Sequence, residues 1–577
     1  MRRTAPLAAL LALAACAPGG PGAYPTSAAS PRPALPVQAA DVVLRGGKVF
    51  VADSAGTMAE ALAIRDGKIV AVGRSADVAA LVGPRTEVVE LAGRLVTPGM
   101  NDAHIHFGSG GASLLNVQLG GTASLDTIEK LVKAAADAAQ PGEWIQGRGW
   151  DQTRLPAGEL GADGWPTRAV LDRAAPRNPV LLQRVDGHTF WANARALAAG
   201  GITRATPNPQ GGEIVHDPRT GEPTGILKEA AGDSLAEKVP APTTAQLRRA
   251  IDAALDLAAR TGVTSVQTET SPAEVQAYRA LRDAGTLSVR VYGWLPLEWQ
   301  TIRDYRETGI TAGFGDEWLR VGMLKGYVDG TLGSRTAYML EPFSDDPTTR
   351  GIARYTQARL DSLVTAADAA GLQVILHAIG DGANRMALDA YEHAAKANGT
   401  SGRRHRIEHA QVLDHADIPR FRQLGVIASM QPTHATSDMR WAELRIGRDR
   451  AVEGAYAWRS LLNAGARVIF GTDFAVEPMN PMEGIYSAVT RQSRDEPGIP
   501  AGGWLPEQKL TRPEAIRLYT AASAYGEWQE ARKGTLRPGM LADLVVWSDD
   551  LLTIPDAQIL KTEPWMTMVG GRVVYHQ

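Results

Sequence analysis

Residues 101–110 read NDAHIHFGSG and place His104 and His106 two apart, at the end of an apolar run. In an extended strand, residues two apart point to the same face of the sheet. The two imidazoles are therefore able to hold one metal ion together, with Asp102 on the same face. The alternative is that they are only the polar end of a strand, and this stretch alone does not decide between the two interpretations.

The stretch belongs to a longer alternation of strand-like and helical segments. Eight apolar runs are separated by helical segments such as TAQLRRAIDAALDLAART, in which Leu and Ile recur at helical spacing. This alternation predicts an α/β fold, a parallel (β/α)8 TIM-like barrel over residues 98–533. The eight runs are LVTPGMNDAHIH, GVTSVQTE, LSVRVYGWL, WLRVGMLKGYVDG, LQVILHAIGD, HRIEHAQV, GVIASMQPTH and ARVIFGTDFA.

Three segments stand apart from this alternation. Residues 142–239 interrupt it after the first strand and predict a cap-like α/β insert. Residues 39–97 and 534–577 both contain short strand-like runs with glycine turns, such as the Asp66-Gly67 hairpin. These two segments predict one small split β-sandwich domain built from both ends of the chain.

The N-terminus predicts export and lipid attachment. Residues 1–16 carry two arginines, a short apolar run and the sequence LAAC, which looks like a bacterial lipobox ending at Cys16. Cys16 is the only cysteine, which favours lipidation over an ordinary secretory signal. Residues 17–38 are rich in Pro, Gly and Ala and predict a flexible tether. Because Ala17 rather than Asp follows Cys16, we expect a lipoprotein on the periplasmic face of the outer membrane.

Composition argues against some partners. The 577 residues carry a formal net charge of -3 and no basic stripe, which gives no electrostatic reason to bind nucleic acid. No later apolar run is long enough to cross a bilayer, so contact with a membrane is expected only through the N-terminal anchor. A homo-oligomer is compatible with the sequence.

In a barrel of this kind, active-site groups lie at the carboxyl ends of the strands. Those positions supply one consistent set of side chains that bind zinc-like metals or tune such a site. The set is His104, His106, Lys325, His377, His409 and Asp473. Because the strand ends face a common centre, we expect the six side chains to converge, which favours the metal-clamp interpretation of the opening stretch.

The motifs around these residues resemble the amidohydrolase superfamily. LKGYVDGTLGSRTA, HAIGDGAN, RIEHAQ, MQPTH and GTDFAVEPMNP occur in that order. They are similar to the YtcJ-like branch of amidohydrolase family 3, which includes N-substituted formamide deformylases. The resemblance runs from about residue 41 to the end of the chain, insert included.

The resemblance implies a ligand set for divalent metal, most simply two Zn²⁺ ions. His104 and His106 would hold the more buried ion with Asp473, and His377 and His409 would hold the second. Lys325 would bridge them after its amine reacts with carbon dioxide to form a carbamate, because a free ammonium repels a cation. The alternative is one metal, with Lys325 forming an ion pair or contacting substrate.

The expected activity is hydrolysis of C–N bonds in linear amides, of N-acyl or N-formyl type, by a metal-activated hydroxide. A bound divalent ion lowers the pKa of its water from about 15.7 towards about 7. Asp473 would act as general base and then as general acid towards the leaving amine. Alternatives are ester or lactone hydrolysis, deamination or isomerisation at the same site, or a non-catalytic, membrane-tethered binding protein.

Other side chains are candidates with weaker signals. His188 either donates a hydrogen bond to the substrate carbonyl or begins a helix in the cap, and His434 is a candidate for contacting substrate or the tetrahedral oxyanion. Glu408 faces away from the metal on its strand and is expected to be a structural partner. The tryptophans of the insert either line the pocket or pack within the cap. Candidates for the substrate pocket are Trp150, Trp191, Trp441, Asp329 and Arg335.

Overall fold

The computed structural model describes residues 38–161, 164–185, 187–399 and 402–577. The predicted signal peptide, Cys16 and all but the last residue of the predicted tether lie outside these ranges. No helix within them is both long and apolar enough to span a bilayer.

Strands from both ends of the chain form a β-domain of two sheets. The first sheet joins strands in the order Lys68–Gly73, Ala61–Arg65, Val42–Arg45 and Glu87–Glu90. The second joins Arg572–His576, Pro564–Val569, Leu544–Trp547, Leu95–Pro98, Lys48–Phe50 and Met58–Ala59. Leu44 and Leu62 from the first half of the chain share one buried cluster with Leu544 and Met566 from the second. The predicted split β-domain is therefore present.

Eight parallel strands form the barrel, and each pairs with the next in chain order. They are Met100–Ile105, Val263–Glu269, Arg290–Pro296, Leu319–Tyr327, Gln373–Ala378, Arg406–His409, Ile427–Met430 and Arg467–Phe470. The first and eighth strands meet without a regular ladder. Two backbone hydrogen bonds close this seam between the first and eighth strands. Asp473 N–H donates to the carbonyl of His104 at 2.8 Å, and His106 N–H donates to the carbonyl of Phe474 at 2.7 Å. The seam therefore brings the opening HIH stretch against the loop that carries Asp473.

Helices between the strands cover the barrel. The first, Thr244–Thr261, begins with a capping box of Thr243 and Gln246 and ends at Gly262, whose φ of 78° suits glycine. Its apolar face, including Ile251 and Leu255, packs into the main core. The later outer helices are Pro272–Asp283, Trp299–Thr308, Gln357–Ala369, Asp381–Asn398, Ile418–Leu424, Trp458–Asn463, Pro481–Thr490, Arg512–Leu518 and Ala521–Gly526. Short helices in the loops are Phe107–Leu115, Pro432–Asp438, Ala442–Ile446 and Arg448–Gly454.

The insert forms its own six-stranded sheet. The strand order is Gly212–His216, Pro223–Glu229, Thr189–Ala192, Val180–Arg184, Ile145–Trp150 and Val117–Gln118. Its helices are Leu125–Ala138, Ala169–Ala174, Ala194–Ala199 and Ala230–Ala236. The first of these buries Ile128 and Val132 in the core of the insert. The insert thus begins before residue 142, because the segment from Val117 onward already packs into it.

Charged side chains occupy part of the barrel interior, where branched apolar residues usually dominate. Arg406 and Glu408, two apart on the sixth strand, are completely buried and form an ion pair of 2.8 Å between Nε and Oε1. Nη2 of Arg406 also donates to the carbonyl of Ala103 at 2.7 Å. Burying a charge is costly unless it is paired and hydrogen-bonded. This pair therefore fixes the interior just below the strand ends.

Candidate metal centre

Asp473 is the point at which the predicted ligands meet. Its Oδ1 lies 3.3 Å from His106 Nε2 and 3.5 Å from His104 Nε2. Its Oδ2 lies 3.6 Å from His434 Nε2 and 4.0 Å from His409 Nδ1. The loop after the eighth strand thus places one carboxylate among imidazoles that come from the first, sixth and seventh strands.

Lys325 and His377 complete the convergence. Lys325 Nζ lies 3.2 Å from His104 Nε2, and the rings of His377 and His409 are 4.6 Å apart. Burial lowers the pKa of the Lys325 amine to about 8. All six side chains selected from the strand ends therefore lie in one cluster, in which His106 is partly exposed and the other five are buried.

The donors suit a divalent metal ion such as zinc, which takes imidazole nitrogen and carboxylate oxygen. One possible ligand atom each from His104, His409 and Asp473 lies within 4.8 Å of the other two. Burial lowers the pKa of His104 to about 4 and that of His377 to about 3, so both imidazoles are in the neutral form that binds metal. Within the described ranges, Asp473 Oδ1 and His434 Nε2 are buried polar atoms with no hydrogen-bond partner. An ion bound beside Asp473 would satisfy Oδ1, and a substrate oxygen would satisfy His434 Nε2.

Carboxylates stand behind the two histidines of the opening stretch. Glu408 Oε2 lies 2.8 Å from His104 Nδ1, and Glu269 Oε2 lies 2.9 Å from His106 Nδ1. Burial opposes ionisation of Glu408, but Arg406 and then His104 hold the pKa of its carboxyl below the usual range. Glu408 is thus the structural partner that its place on the strand predicts. The sequence analysis did not select Glu269 as a site residue, although it is the last residue of the second strand and so lies where active-site groups are expected.

The remaining two histidines have neutral partners. His409 Nδ1 is 2.8 Å from the amide oxygen of Gln431, and His377 Nε2 is 3.1 Å from the carbonyl of Gly330. Trp294 stacks on the His104 ring at 5.0 Å between centroids and an angle of 14°. Sequence reasoning did not select Gln431 or Trp294, since neither residue type announces a metal site.

Asp102 closes the barrel seam rather than joining the ligands. Its Oδ1 accepts the backbone N–H of Thr472 at 2.9 Å, and its Oδ2 accepts the Thr472 hydroxyl. Thr472 immediately precedes Asp473. Asp102 therefore anchors the segment that presents Asp473, and its expected place beside the histidines corresponds to a positioning role.

The two further histidines lie in different parts of the molecule. The imidazole of His434, near the start of the helix Pro432–Asp438, stacks on that of His409 at 5.8 Å and so belongs to the cluster. His188 lies in the insert, where its Nδ1 is 2.9 Å from Glu229 Oε2. Glu229 has a φ of 48°, an uncommon conformation for a residue with a side chain. A contact of His188 with substrate stays a prediction.

The expectation that Trp150 and Trp191 line the substrate pocket is wrong. Both are completely buried in the core of the insert, with ring centroids 5.7 Å apart, and Trp150 Nε1 donates to the carbonyl of Leu182 at 2.9 Å. Packing within the cap explains them. Trp441 differs from these two. It lies in the chain segment that connects the seventh strand to the eighth, is half-buried, and packs against Gly333 of the loop after the fourth strand.

The other two pocket candidates serve their loops. Asp329 is buried and accepts three backbone N–H groups, those of Tyr338, Ile379 and Gly380, at 2.8–3.0 Å. It therefore shapes the loop after the fourth strand and is not available to substrate. The guanidinium of Arg335 pairs with Asp345 at 2.9 Å. This ion pair joins Arg335 to another part of the same loop, which connects the fourth strand to the helix Gln357–Ala369.

Known proteins match this chain over most of its length. A family model described as the amidohydrolase family matches residues 87–575. Protein LONG AFTER FAR-RED 3 of Arabidopsis thaliana is 35% identical, covering 93% of this chain and 92% of that protein. The putative amidohydrolase YtcJ of Bacillus subtilis is 32% identical, covering 93% of this chain and 99% of that protein. An N-substituted formamide deformylase of Arthrobacter pascens is 27% identical, covering 94% of this chain and 99% of that protein.

Solved structures agree with the fold. The crystal structure of an uncharacterized metal-dependent hydrolase from Pyrococcus furiosus superposes with a TM-score of 0.72 at 28% identity, covering 89% of this chain and all of that one. The family model covers most of the sequence, and the barrel carries the donors that a metal-dependent hydrolase requires. The chain therefore belongs to the amidohydrolase family and is a metal-dependent hydrolase.

Proposed function

We propose that the protein hydrolyses C–N bonds in linear amides, of N-acyl or N-formyl type, on small molecules. The observation that carries the proposal is the position of Asp473, one carboxylate that touches both the candidate metal ligands and His434. Similarity to an N-substituted formamide deformylase over nearly the whole chain supports the substrate class.

The two oxygens of Asp473 have different neighbours and hence different roles. Oδ1 faces His104 and His106 and is the atom suited to hold an ion with them. Oδ2 faces His434, at 3.6 Å, and is the atom suited to take a proton from the nucleophile and deliver it to the leaving amine nitrogen. A bound divalent ion supplies hydroxide at neutral pH and polarises the amide carbonyl.

Three further side chains would position the substrate. His434 lies on the Oδ2 side of Asp473, where an N–H donor stabilises negative charge on the carbonyl oxygen as it becomes tetrahedral. Trp441, half-buried against Gly333, offers an apolar surface to the group on nitrogen or to the acyl chain. His188 would donate to the same carbonyl from the insert.

For the cofactor we propose two Zn²⁺ ions, with Lys325 carboxylated between them. The support is its position: Nζ is 3.2 Å from His104 on one side, and the rings of His377 and His409 lie on the following strands. Only as a carbamate does this buried side chain become an anionic oxygen donor. In the alternative with one metal, Lys325 remains an amine.

A panel of matched substrates tests the reaction. N-Benzylformamide, N-benzylacetamide, benzyl formate and an aminopyrimidine would be incubated with zinc-loaded protein, and free amine, acid and ammonia measured. We expect benzylamine from the formamide or acetamide, and none with Asp473→Asn. Turnover of the ester alone, or ammonia from the aminopyrimidine alone, would contradict the proposal.

We also propose that the protein is exported and held at the membrane by a lipid on Cys16. The support is the lipobox-like LAAC sequence at the end of a short apolar run, followed by a Pro- and Gly-rich segment. The test is fractionation of cells that express the full chain or Cys16→Ser. The full chain should sediment with membranes and the variant should not. A variant that still sediments with membranes would refute the anchor.

A further inference from the structure

The histidines of the metal centre differ in the charge of the group behind them. Both histidines of the first strand contact carboxylates, Glu408 at 2.8 Å from His104 Nδ1 and Glu269 at 2.9 Å from His106 Nδ1. Each of these contacts leaves Nε2 of the ring directed at Asp473 Oδ1. The first strand thus presents two imidazoles that are each backed by an anion.

The nearest acceptors behind the histidines of the fifth and sixth strands are neutral groups. His409 Nδ1 contacts the amide oxygen of Gln431 at 2.8 Å, and His377 Nε2 contacts the carbonyl oxygen of Gly330 at 3.1 Å. The carboxylate of Asp329 lies 3.5 Å from His377 Nε2. That carboxylate is farther from the ring than the Gly330 carbonyl is, and it accepts three backbone N–H groups of its own.

The charge behind His104 is also fixed in place. Arg406 pairs with the other oxygen of Glu408 at 2.8 Å, and neither side chain is exposed. The same guanidinium donates to the carbonyl of Ala103, the residue before His104. Glu408 is therefore held as an oriented anion at the Nδ1 side of the imidazole.

A carboxylate behind a metal-bound histidine fixes the ring and raises the basicity of the nitrogen that faces the metal. A neutral amide or carbonyl fixes the ring with less effect on basicity, because it carries no net charge. Asp473 adds a further anionic oxygen on the side of the first strand. Charge on both the ligands and the groups behind them is thus concentrated at one half of the centre.

We propose that the two halves of the centre bind metal with unequal affinity. The half-site of His104, His106 and Asp473 holds a resident ion, and the half-site of His377 and His409 holds an ion that exchanges readily. The inference rests on the proposed two-metal site, and it deepens that proposal by assigning an order of occupancy. Glu408 and Glu269 act as positioning residues that set this order.

The test is metal binding without substrate. Protein stripped with a chelator would be titrated with Zn²⁺ in the presence of a chromophoric competitor. We expect two steps whose dissociation constants differ by at least about tenfold, the scale on which outer partners of metal ligands act. Two equal steps would overturn the proposal.

Matched variants assign the steps. Glu269→Gln removes charge at a half-exposed position and should weaken the tighter step by roughly 10–100-fold while leaving the looser one unchanged. Gln431→Glu introduces charge behind His409 and should tighten the looser step. Glu408→Gln should act like Glu269→Gln, but it leaves Arg406 buried and unpaired, so its circular dichroism and melting temperature would be compared with the parent.

The outcomes separate this proposal from the proposed reaction. If Glu269→Gln weakened only the looser step, or Gln431→Glu altered only the tighter one, the assignment would be wrong. If a single equivalent bound, weakening by Glu269→Gln would support the assignment, and insensitivity to Glu269→Gln would refute it. Because no substrate is present, failure to hydrolyse amides would count against the proposed function alone.

Discussion

The barrel mouth and the insert respond differently to reasoning from sequence. At the barrel mouth, six side chains selected by both strand-end position and metal-binding residue type lie in one cluster. In the insert, two tryptophans chosen as pocket residues pack into a private core instead. Strand-end position combined with metal-binding residue type thus predicted which side chains converge, whereas residue type alone did not predict which tryptophans line a pocket.

The largest effect is expected at Asp473. Asp473→Asn removes both a metal ligand and a proton carrier, so kcat/KM for an amide substrate should fall by more than the ~10²–10⁴ typical of a proton-transfer group alone. Steady-state kinetics with the melting temperature as control would measure this. If the variant kept a tenth of the parent activity, Asp473 would not have the proposed role as proton carrier and metal ligand.

A second effect on the barrel side is expected in metal content. Lys325→Ala should lower bound metal from two equivalents to one or fewer, since it removes the proposed bridge between the two halves. Elemental analysis of parent and variant, purified side by side as chains without residues 1–38, would measure this. Unchanged metal content would rule out the bridging carbamate.

Substitution of a buried tryptophan in the insert should lower stability rather than activity. Trp191→Ala leaves a large cavity among buried residues and should lower the free energy of unfolding of the insert by about 3–5 kcal/mol. Trp441→Ala, at a half-buried position, should change stability less and raise KM for substrates with an apolar group. Urea unfolding followed by tryptophan fluorescence, alongside kinetics, would compare the two. A rise in KM with Trp191→Ala and no loss of stability would reverse the comparison.

The smallest effect is expected at Arg335. Its partly exposed ion pair with Asp345 should contribute no more than about 1 kcal/mol. Arg335→Ala should therefore leave kcat/KM and the melting temperature close to those of the parent. A tenfold loss of kcat/KM would instead indicate that Arg335 contacts the substrate.

The parts of the fold that follow from local periodicity were predictable. The strand-helix alternation gave all eight barrel strands, and glycine turns at both chain ends indicated the shared β-domain. Strand-end position then selected His104, Lys325 and Asp473, because parallel strands in a barrel end on one face.

What sequence could not supply depends on contacts between distant residues. Glu269 lies at a strand end, but its contact with His106, like that of Gln431 with His409, forms only when the barrel closes. The sequence predicts that the insert starts at residue 142, but the helix Leu125–Ala138 already belongs to it. This helix resembles a barrel helix in sequence, and only its packing partners show where it lies. The burial of Trp150 also depends on distant contacts, because the local sequence does not show whether this residue packs in the core of the insert or faces the barrel mouth.

The most direct test of the account is anomalous X-ray scattering at the zinc edge from crystals of the metal-loaded protein. We expect a peak within bonding distance of His104, His106 and Asp473, with any second peak beside His377 and His409. Zinc bound elsewhere, with none at these side chains, would contradict the assignment of this cluster as the metal centre.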